Sequence, residues 1–432
     1  MEKAPTVLDV DLIREHPDLV RESLRRRGDA EKLKMLDKLI EHDKKWRQWL
    51  TTLNELRHKK NVMTAEIARL KKEGKDTKEN VDQVDDVAHQ IGEFKEKVDQ
   101  HKEEIDHILL RLPNVLHESV PSGKDEKDNV ELRVWGEPPK FDFKPKSHLE
   151  IASDLGLIEA ERAAKAVGAG FYYLKDELVL LDLAIQRFAI DFLTKKGFTL
   201  VEPPYLVNRK AYEGMIGDPF DFAEASYKVE DAELYLIPTA EYPLGSMFID
   251  EVFEKKDLPI KLAGVSACFR REVGTHGKYM KGLFRMHQFN KVEQFVVCLP
   301  EHSWEFLEEL QRNSEELYQR LGLHHRVVSL CSGDMTAKAA KAYDIEVWMA
   351  DGAFRESGSN SNCTDYQARR LNIRFREKKG RAPAGFVHTL NNTALATSRT
   401  MIAILEQFQR RDGSVVIPKG LRPFMGGIER IG

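Results

Sequence analysis

Two neighbouring segments in the second half of the chain combine arginine, glutamate and phenylalanine in a pattern that suits a charged ligand. Residues 267–274 read ACFRREVG, and residues 284–293 read FRMHQFNKVE. This pattern predicts two strands joined by a basic loop that contains glycine. The guanidinium of Arg270 can bind a phosphate or a carboxylate through two hydrogen bonds, and the ring of Phe289 can stack on a base. The hairpin is therefore predicted to hold a nucleotide on one face.

Taken one at a time, these residues have simpler explanations. An isolated phenylalanine such as Phe289 most often packs in a core, and an isolated Arg-x-Glu is most often a surface ion pair. The sequence contains neither a glycine-rich dinucleotide fingerprint nor a phosphate-binding loop of the Walker type. A nucleotide would therefore have to bind through the hairpin.

Short apolar segments, separated irregularly by helical ones, would position this hairpin. They are residues 171–174, 198–201, 234–237, 294–298 and 343–348. Such an irregular order of strands and helices is typical of an α+β domain with an antiparallel sheet.

The first third of the chain has a different periodicity. From Met35 to Leu70, eleven positions alternate spacings of four and three, and only His42 and Lys60 among them are not apolar. From Val84 to Leu112 the same alternation continues, with His101 as the one exception. These heptad seams predict an antiparallel coiled-coil hairpin over residues 31–112. Its first helix, of about 40 residues, would be roughly 60 Å long and would extend beyond a globular body.

The turn and the charges of this hairpin can also be read from the sequence. Gly74 can end the first helix, and Asp76 with Glu79 has the spacing of a capping box for the second. Residues 31–75 hold 13 lysines and arginines against 7 acidic residues, whereas residues 76–112 hold 5 against 11. The basic helix could bind phosphates, or its charges could simply be the solvated flanks of a coiled coil.

Composition limits the classes of protein that remain. The 432 residues are 41% hydrophobic and 32% charged, with a net charge of −4, which excludes a uniformly basic nucleic-acid binder. Without a run of about 20 apolar residues or an apolar start, we expect a cytoplasmic protein that is not bound to a membrane. The four cysteines are spread out, and their spacing suggests neither a zinc site nor a disulfide framework.

The residues quoted above, with four further segments, resemble the class II aminoacyl-tRNA synthetases in their seryl, coiled-coil-arm form. Residues 269–272 and 287–293 are similar to the second signature of that class, and residues 390–399 to the third. Residues 237–241 (IPTAE) resemble the serine-binding Thr-x-Glu of the family. Residues 355–370 also match the family, and residues 197–204 resemble the first signature, which forms the dimer interface.

The resemblance implies a role for each matching residue. It implies serine binding by Thr239, Glu241, Arg270, Glu293, Asn391 and Thr393. It implies ATP binding by Arg270, Arg271, Glu272, Met286, Phe289, Glu356, Ser357, Gly358, Ser359 and Arg399. Arg270, Glu272 and Arg399 would be catalytic, and Glu356 and Ser359 would supply oxygen ligands to Mg²⁺. The arm would grip tRNA, for which the basic helix offers Arg57, Lys59, Arg69, Lys71 and Lys72.

The function implied by the resemblance is that of a ligase in protein synthesis. It would activate L-serine with ATP to seryl-adenylate and transfer the seryl group to the 3′-terminal adenosine of tRNA(Ser), and possibly of tRNA(Sec). Residues 1–115 would form the tRNA-binding domain and residues 116–432 the catalytic domain of a homodimer. Two alternatives stay open: a ligase that loads an amino acid onto a carrier protein, which would lack the long arm, and a catalytically inactive paralogue.

Overall fold

The computed structural model describes residues 9–217, 226–272 and 282–432. Within these ranges the chain forms two compact units. The first comprises residues 9–25 and 29–112, and the second comprises residues 26–28 and 113–432. None of the helices in the described ranges is long and apolar enough to cross a membrane.

The first unit is helical. Its helices are α1 Val10–Glu15, α2 Pro17–Arg26, α3 Ala30–Lys72 and α4 Lys78–Leu109. Helix α3 has 43 residues and is therefore about 64 Å long. The carboxylate of Asp29 accepts hydrogen bonds from the amides of Glu31 and Lys32, both at 3.0 Å, and so caps the start of α3. Helices α3 and α4 form the hairpin that the heptad seams predict.

The turn of the hairpin agrees with the prediction at its glycine but not at its cap. Gly74 has a φ of +69°, and the amide of Lys75 donates to the carbonyl of Leu70 at 3.1 Å. This bond from the residue after a left-handed glycine back into the last helical turn ends α3. The N-cap of α4 is Thr77 rather than Asp76, whose carboxylate accepts from the amide of Lys78 at 3.0 Å. The predicted N-cap was therefore one residue too early, and the side chain of Thr77 forms no capping hydrogen bond.

The two histidines that interrupt the seams contact each other. The Nδ1 atoms of His42 and His101 lie 3.1 Å apart, so one ring donates a hydrogen bond to the other. Burial, reinforced by the charges of His42 and Lys45, lowers the pKa of His101. The two imidazoles pair between apolar layers of the hairpin, such as the one where the ring centroids of Trp49 and Phe94 lie 5.4 Å apart.

The second unit is built on β-strands with helices on both faces. Its helices are α5 His148–Asp154, α6 Ala160–Val167, α7 Asp176–Lys195, α8 Arg209–Met215, α9 Glu241–Ser246, α10 Ser303–Leu321, α11 Tyr366–Leu371 and α12 Thr397–Gln407. Its strands are β1 Val130–Trp135, β2 Ile158–Glu159, β3 Tyr173–Leu174, β4 Thr199–Val201, β5 Leu206–Asn208, β6 Leu234–Leu236, β7 Val252–Glu254, β8 Ile260–Phe269, β9 Gln288–Cys298, β10 His325–Ser329, β11 Lys341–Trp348, β12 Phe354–Thr364, β13 Arg374–Arg376, β14 Gly385–Phe386, β15 His388–Ala396, β16 Val415–Val416 and β17 Arg430–Ile431.

Eight of these strands form one sheet in the order β1-β10-β11-β12-β15-β9-β8-β4. Every neighbouring pair is antiparallel except β4 and β8, which run parallel at one edge. The predicted α+β class with an antiparallel sheet is confirmed. The predicted nucleotide hairpin is the pair β8 and β9, in which Cys268 lies opposite Phe289.

Strand β9 shows how the sheet separates its two faces. Val292 and Val296 belong to the large core under α7, α10 and α12, whereas Phe295 and Val297 belong to the core under α8, α9 and α11. Successive side chains of a strand point to opposite faces. The odd-numbered residues of β9, Glu293 among them, therefore lie on the face that α8, α9 and α11 cover.

Candidate active site

A cavity of about 640 Å³ opens on this odd-numbered face. Ten of the residues that the sequence assigns to substrates line it: Thr239, Glu241, Arg270, Arg271, Glu272, Glu293, Glu356, Ser359, Asn391 and Thr393. They come from the end of β8, from β9, β12 and β15, and from the turn before α9. Segments that are far apart in sequence thus meet at one site.

The position of Arg270 is set by the end of β8. Its guanidinium lies 5.3 Å from the centroid of the Phe289 ring, and its Nε donates to the carbonyl of Pro238 at 3.3 Å. The ring of Phe289 and the carbonyl of Pro238 thus fix the position of this side chain, which lines the cavity. A guanidinium in this setting can bind a phosphate or a carboxylate in bidentate fashion.

Glu241 is a buried carboxylate at the start of α9, 3% exposed. Both of its oxygens accept hydrogen bonds from Nζ of Lys338, at 2.5 and 2.6 Å. Oε1 also accepts from Nε2 of Gln367 at 2.6 Å and from Nδ2 of Asn391 at 3.2 Å. The carboxylate is therefore fixed in direction, with a cation already bound to it.

Glu293 is the second buried carboxylate of the cavity, at 1% exposed. It forms a salt bridge with Lys291, two residues earlier on the same face of β9, and accepts a long hydrogen bond from the hydroxyl of Thr239 at 3.4 Å. Thr393 lies opposite Glu293 in the sheet register. Burial raises the pKa of Glu293, although the charge of Lys291 opposes the shift. A ligand hydroxyl between Glu293 and Thr393 would find both an acceptor and a donor.

Glu356 and Ser359 bring oxygen atoms to the other end of the cavity. Nη1 of Arg399 lies 3.2 Å from the carboxylate of Glu356 and donates to its backbone carbonyl at 2.8 Å. The charge of Arg399 lowers the pKa of Glu356, so this carboxylate is ionised at neutral pH. Carboxylate and hydroxyl oxygens are the ligands that Mg²⁺ prefers.

The donor set at Glu356 and Ser359 is small. The described residues contain no group of three or more histidine, cysteine, aspartate or glutamate side chains that could hold a metal ion. Mg²⁺ is usually held by one or two protein ligands and completes its shell with water and substrate phosphates. One carboxylate and one hydroxyl beside a cavity therefore fit Mg²⁺ that arrives with a phosphate ligand.

Glu272 closes the cavity next to the end of β8. Its carboxylate pairs with Nη1 of Arg285 at 2.9 Å, and its φ of +46° is left-handed, which is unusual for a residue with a side chain. Residues 273–281 of the predicted basic loop lie outside the described residues. The salt bridge with Arg285 thus joins Glu272, just after β8, to a residue just before β9.

Five of the predicted ATP residues are not among the residues found to line the cavity: Met286, Phe289, Ser357, Gly358 and Arg399. Phe289 supports Arg270, and Arg399 reaches the site through Glu356. The hydroxyl of Ser357 accepts a hydrogen bond from Tyr318 at 2.7 Å on the core side of β12. The roles of all five residues stay predictions.

Two lysines that line the cavity, Lys291 and Lys338, were not among the site residues predicted from the sequence. Lys291 could have been found, because its spacing of two from Glu293 places both on one face of a strand. Lys338 could not have been found, because 97 positions separate it from its partner Glu241 and only the fold brings them together.

The five basic residues assigned to tRNA lie on α3 in the other unit. Arg57, Lys59, Arg69, Lys71 and Lys72 are all exposed. Arg69 forms a salt bridge with Glu66 at 3.2 Å. Lys60, in contrast, is half-buried on the seam.

Both units of the chain are similar to domains of known proteins. The model of the tRNA synthetase class II core domain (G, H, P, S and T) matches residues 227–408. The crystal structure of seryl-tRNA synthetase from Pyrococcus horikoshii complexed with ATP superimposes with a TM-score of 0.95 at 48% identity, covering 98% of this chain and 99% of that one. The fold and the site thus define the chain as a class II aminoacyl-tRNA synthetase.

The family within that class follows from the N-terminal unit and from the full-length relatives. The model of the seryl-tRNA synthetase N-terminal domain matches residues 7–116. The serine–tRNA ligase of Methanocella arvoryzae is 50% identical over 424 residues, which cover 98% of this chain and 100% of that protein. The cytoplasmic serine–tRNA ligase of Naegleria fowleri, solved in complex with AMP, has a TM-score of 0.88 at 36% identity and 98% coverage of both chains. The chain belongs to the seryl-tRNA synthetases, the serine–tRNA ligases.

Proposed function

We propose that the cavity activates L-serine with ATP and that the enzyme then transfers the seryl group to the 3′-terminal adenosine of tRNA(Ser). The observation that carries this proposal is the pair of buried carboxylates, Glu241 and Glu293, in one cavity with Arg270. The ATP bound to the Pyrococcus horikoshii structure supports the choice of nucleotide.

Serine has three polar groups, and each has a partner of suitable chemistry. Glu241 takes the ammonium group, Glu293 and Thr393 take the hydroxyl, and Arg270 takes the carboxylate. Alanine has no hydroxyl to offer to Glu293 and Thr393, so it would bury these polar groups without the hydrogen bonds that serine provides. Sites that hydrogen-bond a substrate hydroxyl reject the analogue without it by about 10⁴-fold or more, so serine can be selected without an editing site.

In the first step a carboxylate oxygen of serine forms a bond to the α-phosphorus of ATP. The bond from that phosphorus to the bridging oxygen breaks, and pyrophosphate leaves with the electron pair. Arg270 and Arg399 hold the reacting groups in place and offset the charge that builds up on the phosphates, so the catalysis is mainly positional and electrostatic. In the second step the tRNA hydroxyl attacks the adenylate carbonyl and AMP leaves.

Glu356 and Ser359 are the residues that would hold Mg²⁺, which when bound would supply positive charge to the phosphate oxygens of ATP. Replacing Glu356 with glutamine keeps the shape of the side chain but removes its charge. We expect the Mg²⁺ concentration for half-maximal pyrophosphate exchange to rise at least about tenfold, since a neutral amide is a weaker ligand for a hard cation. Glu346→Gln, which changes a carboxylate opposite Glu356 in the sheet register, is the control. An unchanged Mg²⁺ requirement in Glu356→Gln would contradict the assignment.

The division of labour between the domains is part of the proposal. Residues 1–115 bind tRNA(Ser), and residues 116–432 carry the chemistry. A cytoplasmic location is proposed with it, supported by the cytoplasmic relative from Naegleria fowleri. Serine-dependent aminoacylation of total tRNA, followed by sequencing of the charged species, tests the function. Serine activation without charging of any tRNA would contradict it.

A homodimer is also proposed. Strand β4 is the edge of the main sheet, and Leu200 on it is 46% exposed, as Leu183 on α7 is at 56%. Exposed leucines on β4, which lies in residues 197–204, and on the preceding helix α7 suit a subunit interface. We expect light scattering to show a dimer and the double variant Leu183→Glu, Leu200→Glu to be a monomer. Leu19→Glu, an exposed leucine on α2, should leave the dimer intact, and a monomeric wild-type chain would refute the proposal.

A further inference from the structure

Lys338 and Glu241 form a buried ion pair inside the proposed serine site. The lysine side chain is 14% exposed and that of Glu241 is 4% exposed, and both residues line the cavity. Burial, the largest single influence, lowers the pKa of Lys338, but the charge and hydrogen bonds of Glu241, together with smaller contributions from Cys363 and Glu293, outweigh it, so the pKa lies above its usual value. The lysine is therefore a cation that stands where the substrate ammonium is proposed to bind.

The backbone that carries Lys338 is fixed, whereas its side chain is long. The side-chain amide of Asn114 donates to the carbonyl of Lys338 at 2.9 Å, and the guanidinium of Arg27 donates to that of Ala339 at 2.8 Å. The amide of Ala340 donates to the carbonyl of Asn362 at 2.9 Å. Four rotatable side-chain bonds therefore let the ammonium leave Glu241 without movement of the main chain.

Each of the two buried carboxylates in the serine site already has a cationic partner. Lys338 pairs with Glu241, and Lys291 pairs with Glu293. A further cation placed beside Glu241 is unfavourable, because it must be desolvated without a free counter-ion. The ammonium of serine therefore has to take the place of a cation that is already there.

We propose that Lys338 is the resident counter-ion of Glu241, which the ammonium group of serine replaces. This inference rests on the proposed function, since it takes Glu241 as the ammonium site. Because the substrate ammonium must replace that of Lys338, this lysine helps to determine which ligands the site accepts. Serine adds no net charge, because its carboxylate arrives with its ammonium, whereas a simple amine adds one positive charge. With Lys338 present, the site therefore favours a zwitterion over an amine.

Ethanolamine tests this exchange, because it has the ammonium and the hydroxyl of serine but no carboxylate. It is used as a competitive inhibitor of serine-dependent pyrophosphate exchange in the wild-type enzyme and in Lys338→Met. We expect the ratio of its Ki to the KM for serine to fall at least about tenfold in the variant. Loss of the lysine removes one positive charge from the site, and the ammonium group of ethanolamine can then supply it. Lys338→Gln should lower the ratio as well. It is also neutral but can still donate a hydrogen bond to Glu241, so the test remains valid if the methionine variant does not fold. Lys338→Arg should stay within about threefold of wild type.

The matched control is Lys261→Met, which removes a partly buried lysine from its salt bridge with Glu309 at 2.7 Å, away from the cavity. It should leave the ratio unchanged. An unchanged or increased ratio in both Lys338→Met and Lys338→Gln would overturn the inference. Glu241→Gln separates this failure from failure of the proposed function: if it leaves the KM for serine unchanged, the serine site itself is wrongly assigned.

Discussion

Replacing Arg270 with alanine is expected to reduce serine-dependent pyrophosphate exchange by at least about 10³-fold, while the fold and the thermal unfolding temperature stay close to those of the wild type. Arg270 lies at the end of β8 and lines the cavity above Phe289, outside both apolar cores. Its side chain is therefore placed to serve ligands. Loss of one charged donor that is aligned with a developing negative charge costs about 10²–10³ in rate, and Arg270 is proposed to contact both substrates.

Two controls make this result specific. Arg270→Lys keeps the charge but loses the planar fork, so it should recover only part of the activity. Arg326→Ala removes an arginine that also lies over an aromatic ring, 4.8 Å from the centroid of Phe354, but outside the cavity. It should exchange pyrophosphate at the wild-type rate. Exchange by Arg270→Ala within about threefold of wild type would refute the role of Arg270.

The parts of the fold that the sequence predicts well are those set by short-range periodicity. The heptad spacing from Met35 to Leu70 predicts the stripe of α3 that is at least half-buried, although Leu36 and Asp43, which are buried, lie off this seam. The predicted strand that carries Phe289 and Glu293 is β9, and the period of two along a strand places both residues on one face. Both patterns follow from the local geometry of helix and strand, so a single segment is enough to read them.

The parts that the sequence does not predict depend on contacts between distant segments. The pairing of Lys338 with Glu241 requires the register of several strands at once. Ser357 was assigned to ATP, and only the sheet shows that its hydroxyl points to Tyr318 on the core side. The one-residue error at Asp76 has a local cause, because Asp76 and Thr77 are both good capping residues and either could have been the N-cap.

Neutralising the five exposed basic residues of α3 is expected to have the second large effect. The variant carries glutamine at Arg57, Lys59, Arg69, Lys71 and Lys72. Glutamine has a helix propensity close to that of lysine and arginine, so the helix should stay folded. We expect the KM for tRNA to rise by at least about 10²-fold at physiological salt, and serine activation to stay at the wild-type rate, since none of the proposed active-site residues lies on α3.

The salt dependence tests whether these residues contact phosphates. Each lost phosphate contact removes about 0.7 to 0.9 from the slope of log affinity against log salt, so five contacts would flatten it by roughly 4. Lys60 is kept, because its position on the seam would mix tRNA binding with stability of the hairpin. The matched control neutralises five exposed acidic residues of α4, which changes the charge by the same amount in the opposite direction: Glu79, Asp82, Asp85, Glu93 and Glu96. Its KM for tRNA should not rise.

Deletion of the hairpin provides the sharpest separation of tRNA binding from chemistry. The guanidinium of Arg27 donates to the carbonyl of Asn114 at 3.0 Å, so the chain ends that flank residues 31–112 are close enough for a short Gly-Ser linker. The deleted enzyme should exchange pyrophosphate with serine at nearly the wild-type rate, because every proposed contact to serine and ATP is kept. It should lose aminoacylation by at least about 10²-fold, because the proposed tRNA contacts are removed. If the hairpin only stabilised the fold, pyrophosphate exchange and aminoacylation would fall together in the deletion variant. The slope of log affinity for tRNA against log salt would then be the same in the five-glutamine variant as in the wild type. Both reactions measured on the same preparations therefore decide whether the basic face of α3 binds tRNA.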